Sequence, residues 1–496
     1  MSILRATIRP RPLHRAFTRH NSQLAARLAP SAISGSASPI QQLYDLREID
    51  KLTASVAKSS PSNVNHPSPL VMRALPAPWL SASQPNLASQ GSKDDLEVDA
   101  KSVEEAQKSL GPKHMSESYT TFDLPLASDA GLYDRYVNTS GGFRMGKLLE
   151  HLDSLAGAVA YRHALPTPTS SAASAFHEAS AKAGLYLATA SADRLDMFGR
   201  LNKENVRDLK FSGFVTWTGS SSMEVVVKME GSNTDSSWET LMLGRFVMVC
   251  RDSKTHKARK IPPLAVDRDE EKILWAIGDE HQKRRKTTAL NALDKVPPSS
   301  KEAGDLHELM LKVQEAKDGK IDGQKIVQMK DTEIETVQLM HPQDRNLHGK
   351  VFGGILMRLA FELCFTNASL FAQGPLRFLA LDQITFKLPV PIGAVLRLTS
   401  KIVNTTQPHE GADGEAKVHI VVKAEVEEVE TGIRRETNTF FFTMAKGGRE
   451  PIGKMVVPST YQETMYYLEG KRRLQLGDEM RRLYLGERAG AVGDAS

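Results

Sequence analysis

Two helix-opening segments carry the residues best placed to do chemistry. In HPQDRNLHGKVFGGILMRLAFELC, residues 341–364, a polar loop containing Asn346 leads into Gly353 and Gly354 and then into an apolar run. In NTSGGFRMGKLLEHLDSLAG, residues 138–157, a similar loop leads through Gly146 into a second apolar run. Aligned on Gly146 and Gly354, the segments are offset by 208 positions, and both carry an Asn eight residues before the anchor, Asn138 and Asn346. Seven residues after it, one has Asp153 and the other Phe361, so a single half can supply a carboxylate.

Free N–H groups at a helix start, helped by the helix dipole, bind an oxyanion or polarise a carbonyl. Glycine lets a substrate approach that backbone closely. A loop Asn can hold a water or a carbonyl. A carboxylate among apolar residues can activate the water or attack directly. Seven helical residues rise about 10.5 Å, so one helix cannot bring its own start and its own acid to one small reacting centre. Two halves packed with two-fold pseudosymmetry can. The expected composite site joins Asp153 of the first half to Asn346, Gly353 and Gly354 of the second. Its mirror image, Asn138 and Gly146 facing Phe361, lacks the acid.

Other candidates read more simply. Glu362 points about 100° away from Phe361 and fits a salt bridge. Asp382, at a strand start, fits a structural role. Ser220, Ser221 and Ser222 lack the Gly-x-Ser-x-Gly surroundings of a nucleophile elbow. The fourteen histidines show no metal-ligand spacing, so no metal is expected. Cys250 and Cys364 lie in apolar segments and read as reduced core residues. HQKRRK, residues 281–286, reads as a solvated helix face rather than a phosphate site.

Apolar residues at 148, 149, 152, 155, 156, 159 and 160 have helical spacing, ended by Pro166 and Pro168. Strand-like runs follow, and FSGFVTWTGSSSMEVVV reads as a hairpin. RDEEKILWAIGDEHQKRRKTTALNAL reads as an exposed, charge-laced helix, and residues 296–330 as a connection with one short helix. The second half repeats the order, a helix over about 353–371 and then four or so long strands. The expected class is α+β, each half one long helix against an antiparallel sheet.

The chain has 496 residues, 40% hydrophobic and 25% charged, which suits a folded multidomain protein. No window of 18 or more residues reads as apolar enough to span a bilayer, so no transmembrane segment is expected. The net charge of +5 is concentrated in residues 1–60, with nine Lys/Arg against three Asp/Glu. The remainder is near neutral, which argues against a nucleic-acid surface. Residues 1–30 hold six Arg and no acid, the composition of a mitochondrial transit peptide. Short helices are expected near QQLYDLREIDKL and KDDLEVDAKSVEEAQKSL, within an otherwise poorly ordered lead-in.

FRMGKLLEHLDSLAG, FSGFVTWTGSSSMEV and RFVMVCRDS, with HPQDRN, FGGILMR and LDQITFKLPVPIG, resemble tandem hotdog-fold acyl-coenzyme A thioesterases, most closely the mitochondrial acyl-CoA thioesterase 9 type. The likeness covers about 118–258 and 330–448. It implies a transit peptide over 1–45, a lead-in over 46–115, a hotdog domain over 116–258, a helical connection over 259–329, a second hotdog domain over 330–448 and a polar tail over 449–496 with one helix. It implies hydrolysis of acyl-CoA to fatty acid and CoASH in the mitochondrial matrix. No cofactor is implied beyond the coenzyme A of the substrate, and tandem units are expected to form homo-oligomers. The family's Asn and Asp fall on Asn346 and Asp153. Many relatives have His before the two glycines; here it is Phe352, and His348 is not an equivalent replacement. The alternatives are a non-catalytic acyl-CoA sensor or scaffold and a hotdog enoyl-CoA hydratase. Acyl length preference and the residues holding the CoA nucleotide are left open.

Overall fold

The computed structural model describes residues 38–60, 110–139, 141–166, 183–201, 204–235, 237–316, 318–344, 350–410 and 414–493. Six helices are used below: α1 Pro39–Ser59, α2 Met145–Ala164, α3 Asp269–Leu290, α4 Ser300–Glu315, α5 Gly353–Ala372 and α6 Tyr461–Gly493. Twelve strands form one sheet. In the first half they are β1 Thr120–Leu124, β2 Leu185–Ala192, β3 Leu195–Met197, β4 Leu209–Thr218, β5 Ser222–Ser232 and β6 Trp238–Asp252. In the second they are β7 Ile334–Leu339, β8 Leu376–Leu381, β9 Ile384–Thr385, β10 Val395–Thr406, β11 Lys417–Glu427 and β12 Arg434–Lys446.

The fold is mixed helix and antiparallel sheet, as the alternation of one apolar helical run with β-branched strands requires. Within the first half the strands run β1-β4-β5-β6, with β2 and β3 both on β6; within the second they run β7-β10-β11-β12, with β8 on β12. The irregularities repeat along with the order. A bulge lies between Thr189 and Ser191 on β2 and between Phe378 and Ala380 on β8. Others pair Val215/Trp217 with Ile402/Asn404, and Met229/Glu230 with Ala424/Glu425. Bulges kink and re-aim a strand, so matched bulges bend both halves alike around their helices.

Two antiparallel seams join the halves: β3 pairs with β8 (Leu195↔Leu381, Asp196↔Ala380), and β9 pairs with β2 (Ile384↔Ala192, Thr385↔Ser191). These pairings exchange under an offset of 189 residues, which is the two-fold relation expected from the helices, carried into the sheet. Inside it, α2 and α5 lie against each other. Leu148, Leu149, Leu152 and Leu155 of α2 are at most 2% exposed, each worth about 1.5–3 kcal/mol of burial. The extended Leu165 before Pro166 ends α2.

α5 corrects one expectation. By length and hydropathy it is apolar enough to cross a membrane, yet most of it is buried inside the protein. Its composition is that of a core helix with protein on most sides. Cys250 and Cys364 are buried free thiols, as expected, and the Ser220–Ser222 region is the β4–β5 turn.

The outer elements differ more from expectation. α1 is the helix expected at QQLYDLREIDKL, but longer and packed, burying Leu43, Asp45, Leu46 and Ile49. KDDLEVDAKSVEEAQKSL lies almost wholly outside the described residues. HQKRRK is not a solvated face: His281 is buried and meets Asp45 and Glu224 at 3.2 Å each, while Arg285 bonds Glu224 at 2.8 Å and Arg284 pairs with Asp45. The segment after 449 is more than a tail, because α6 buries Leu468, Leu474 and Met480 and its Asp478 pairs with the buried Lys417 at 2.9 Å. α4 is the single helix foreseen in the connection.

Candidate functional site

α2 and α5 pack antiparallel through their glycines. A Cβ on Gly146 would come within 3.2 Å of the Arg358 carbonyl oxygen, and one on Gly354 within 3.0 Å of the Glu150 carbonyl oxygen. As the numbering rises by four on α2 it falls by four on α5, the signature of an antiparallel contact about a local two-fold. Between these points Glu150 and Arg358 form a 2.7 Å ion pair. The close approach brings the middle of each helix to the start of the other. Asp153 thereby meets the N-terminus of α5, as the sequence comparison requires.

Asp153 is 0% exposed. Its Oδ1 accepts a hydrogen bond from the Thr189 hydroxyl on β2 at 2.9 Å. Its Oδ2 lies 3.1 Å from the place a Gly353 Cβ would occupy and completes no regular hydrogen bond among the described residues. Burial pushes the carboxyl pKa up to about 7; the Thr189 hydroxyl and the Gly354 backbone N–H, which favour the anion, draw it down, and Glu150 adds a small push upward. A carboxyl that titrates near neutrality exchanges a proton readily at physiological pH. Neither free cysteine competes as a nucleophile, since burial raises both thiol pKa values, Cys250 to about 12.

The two glycines divide the work. Gly354 permits the helix contact, with Glu150 backbone on it, and presents its N–H to the carboxylate. Gly353 faces Asp153 Oδ2 on one side and the Phe386 ring on the other, with ring atoms 3.3 Å from the would-be Cβ. Phe352 precedes the helix and provides no side-chain cap, so it takes none of the donors at the start of α5. Asn346 lies outside the described residues.

The mirror position is built differently. Phe361, the counterpart of Asp153, packs against Phe365, Phe378 and Phe442 at centroid distances of 6.1, 5.7 and 5.8 Å. The 189-residue relation of the sheets matches Thr189 to Phe378, each at the first position of the repeated bulge. A hydrogen-bonded Asp–Thr pair in one half is an edge-to-face Phe–Phe pair in the other. Asn138 closes its own loop, its Oδ1 accepting from the Gly142 N–H at 2.8 Å. Glu362 bonds Arg144 at 2.6 Å, the salt bridge expected of it, and Asp382 is buried against Arg194.

Thr189 was not among the residues singled out from sequence. The available signal was the likeness of LATASAD to RFLALD, which places Thr189 opposite a Phe just as Asp153 lies opposite a Phe. Among the described residues no group of three or more His, Cys, Asp and Glu could hold a metal ion.

No protein-family model matches the chain. It is 34% identical over 376 residues to mitochondrial acyl-coenzyme A thioesterase 9 of Mus musculus, covering 75% of this chain and 80% of that one. It is 32% identical to the human protein of the same name, with coverage of 74% and 79%, and 32% identical to mitochondrial acyl-coenzyme A thioesterase 4 of Humulus lupulus, with coverage of 73% and 67%. Among solved structures, an acyl-CoA hydrolase from Staphylococcus aureus aligns with 34% of this chain and 98% of its own at a TM-score of 0.29 and 19% identity. A putative oleoyl thioesterase from Lactobacillus plantarum aligns with 66% and 95% at 0.38 and 10%.

Proposed function

The chain belongs to the mitochondrial acyl-coenzyme A thioesterase 9 family, and on that premise we propose that it hydrolyses acyl-CoA thioesters to free fatty acid and CoASH at one composite site between two tandem hotdog domains. The observation that carries this reading is Asp153: a buried carboxyl with a pKa of about 7, delivered by the first half to the glycine-lined helix start of the second.

In the proposed reaction the thioester carbonyl lies against the start of α5. The Gly353 N–H, with the dipole of a 20-residue helix behind it, stabilises negative charge forming on the carbonyl oxygen. Asp153 takes a proton from the attacking water as oxygen adds to the carbonyl carbon; the C–S bond breaks and CoA leaves as thiolate. Direct attack by Asp153, forming a mixed anhydride that water then opens, uses the same placement. Asn346 is assigned to hold the water or carbonyl on the family pattern. Thr189 and Gly354 fix the carboxylate and keep enough of it ionised near neutrality. The opposite site, with Phe361 and Phe378 in place of Asp and Thr, is assigned no hydrolytic role.

The relatives named above are mitochondrial, and the acid-free, Arg-rich leader suits import; we place the enzyme in the matrix, as homo-oligomers of tandem units, with no resident cofactor. The deciding assay is thiol release across an acyl-CoA panel from short to long chains. Wild type should release CoASH, and Asp153→Asn and Asn346→Ala should each lose most of that activity while remaining folded. Binding without release would identify a sensor, and hydration of an enoyl-CoA without release would identify a hydratase.

A further inference from the structure

We propose that Phe386 is the gate of the site: its ring plugs the approach to Asp153, and the acyl thioester reaches the carboxylate only when that ring turns aside. This deepens the thioesterase reading and rests on it.

Any reaction at Asp153 requires water or substrate to reach Oδ2, the oxygen that Thr189 does not hold, yet the residue is 0% exposed. The space in front of the Gly353 Cα is shared by two groups, Asp153 Oδ2 at 3.1 Å and the Phe386 Cε1 and Cζ atoms at 3.3 Å from the same point. On the thioesterase reading, that space is where a carbonyl meets the start of α5. The ring therefore occupies part of the volume that the thioester needs.

Phe386 also has the right mounting. It belongs to a surface segment in which Thr385, Lys387, Leu388 and Pro389 are all exposed, and it alone turns inward to a half-buried position. The backbone around it is pinned. The Phe386 N–H donates to the Ala190 carbonyl at 2.9 Å, the Lys387 N–H to the Thr437 carbonyl at 3.0 Å, and the Asn438 amide to the Thr385 carbonyl at 3.3 Å. With the main chain held, opening is a side-chain rotation and needs no segment to unfold. The Ala190 contact has a second consequence, because Ala190 follows Thr189, the residue that bonds Asp153. Gate and acid are thus fastened to the same bulge. At the mirror position the sheet relation matches Phe386 to Met197, which is 6% exposed. There an unbranched side chain stands in the half-site that has no acid to guard.

The geometry also assigns a role in selectivity. A rigid ring beside the carbonyl position limits how bulky the acyl chain can be near its carboxyl end, so Phe386 should discriminate by branching there more than by total length.

The test labels Asp153 with a water-soluble carbodiimide and an amine, read by peptide mass spectrometry, in wild type, Phe386→Ala and Phe386→Trp. The full-length protein is used, with Asp153→Asn as the blank. Apparent reactivity scales with the open fraction; if the open rotamer is a minor state of about 10% or less, Phe386→Ala should raise the labelling rate at least about tenfold and Phe386→Trp should lower it. In parallel, Phe386→Ala should raise kcat/KM for 2-methyl-branched acyl-CoA relative to the straight-chain isomer. A labelling rate unchanged in both variants overturns the gate and leaves thioester hydrolysis standing. Wild type that releases no CoA thiol from any acyl-CoA overturns the thioesterase reading, and the labelling rates still decide whether Phe386 controls access.

Discussion

Asp153→Asn should separate the stability of this protein from its activity, and its pH dependence can be worked out from the site. The carboxyl pKa is raised by burial from 3.8 to about 7. A folded-state pKa above the unfolded value means that the folded protein keeps a proton the unfolded chain has released. The Asp153 contribution to stability is therefore complete below about pH 4 and is lost progressively as pH rises through about 7. At about 1.4 kcal/mol per pKa unit the whole loss approaches roughly 4 kcal/mol, of which about 2–3 kcal/mol falls between pH 5 and pH 8. The carboxamide of the variant does not titrate. Its carbonyl can keep the Thr189 bond, while its NH2 would face the Gly354 N–H, a donor against a donor. That mismatch costs about 1–3 kcal/mol at every pH and leaves the slope untouched. Thermal unfolding at pH 5, 6, 7 and 8 should thus show the variant gaining on wild type, by about 1 °C per kcal/mol for a folded chain of this length. Hydrolysis should fall by a factor of about 10²–10⁴ across the same range. A difference in Tm that is flat with pH would refute the buried, neutralised carboxyl and with it the claim that Asp153 is poised as a base near neutrality.

Thr189→Val removes a bond that favours the anion, so the Asp153 pKa should rise further; the acid limb of the kcat/KM profile should move upward by about one unit, with activity depressed at pH 6.5 and largely recovered at pH 9. Gly353→Ala places a methyl 3.1 Å from Asp153 Oδ2 and 3.3 Å from the Phe386 ring, and should cut kcat by about 10²-fold with little change in Tm. Gly146→Ala, which meets Arg358 backbone away from the carboxylate, should instead destabilise by about 1–3 kcal/mol in a melting experiment. Asp45→Ala leaves Arg284 without its buried acid and His281 with Glu224 alone and should cost about 3–5 kcal/mol; unchanged denaturation would show that α1 is not docked through that cluster.

Whatever survives translation along the chain could be read in the sequence, and whatever depends on two remote segments meeting could not. Asp153 opposite Phe361 is visible because α2 and α5 share one offset, 208, and a helix preserves its spacing without help from its surroundings. Thr189 opposite Phe378 obeys a different offset, 189, because the stretch between helix and first strand is longer in the first half. It also lies at a bulge, where two residues face one across the ladder; that is a property of pairing with β6, and no local pattern announces it. The same logic explains α1 and α3. Taken alone, QQLYDLREIDKL and HQKRRK each have the polar faces of exposed helices. Together, Asp45 and His281, 236 positions apart, neutralise one another's burial, and each face becomes interior only because the other exists. The asymmetry of the site follows from the same dependence. An Asp at 153 is tolerated in a dry helix interface because a hydroxyl from a bulged strand and an amide from the opposing helix start meet it there. The second half keeps the bulge but offers a Phe from it, and a carboxylate at 361 would find no donor in that ring of phenyl groups. Helix and strand must change together for either half to hold an acid, and here they have done so in only one.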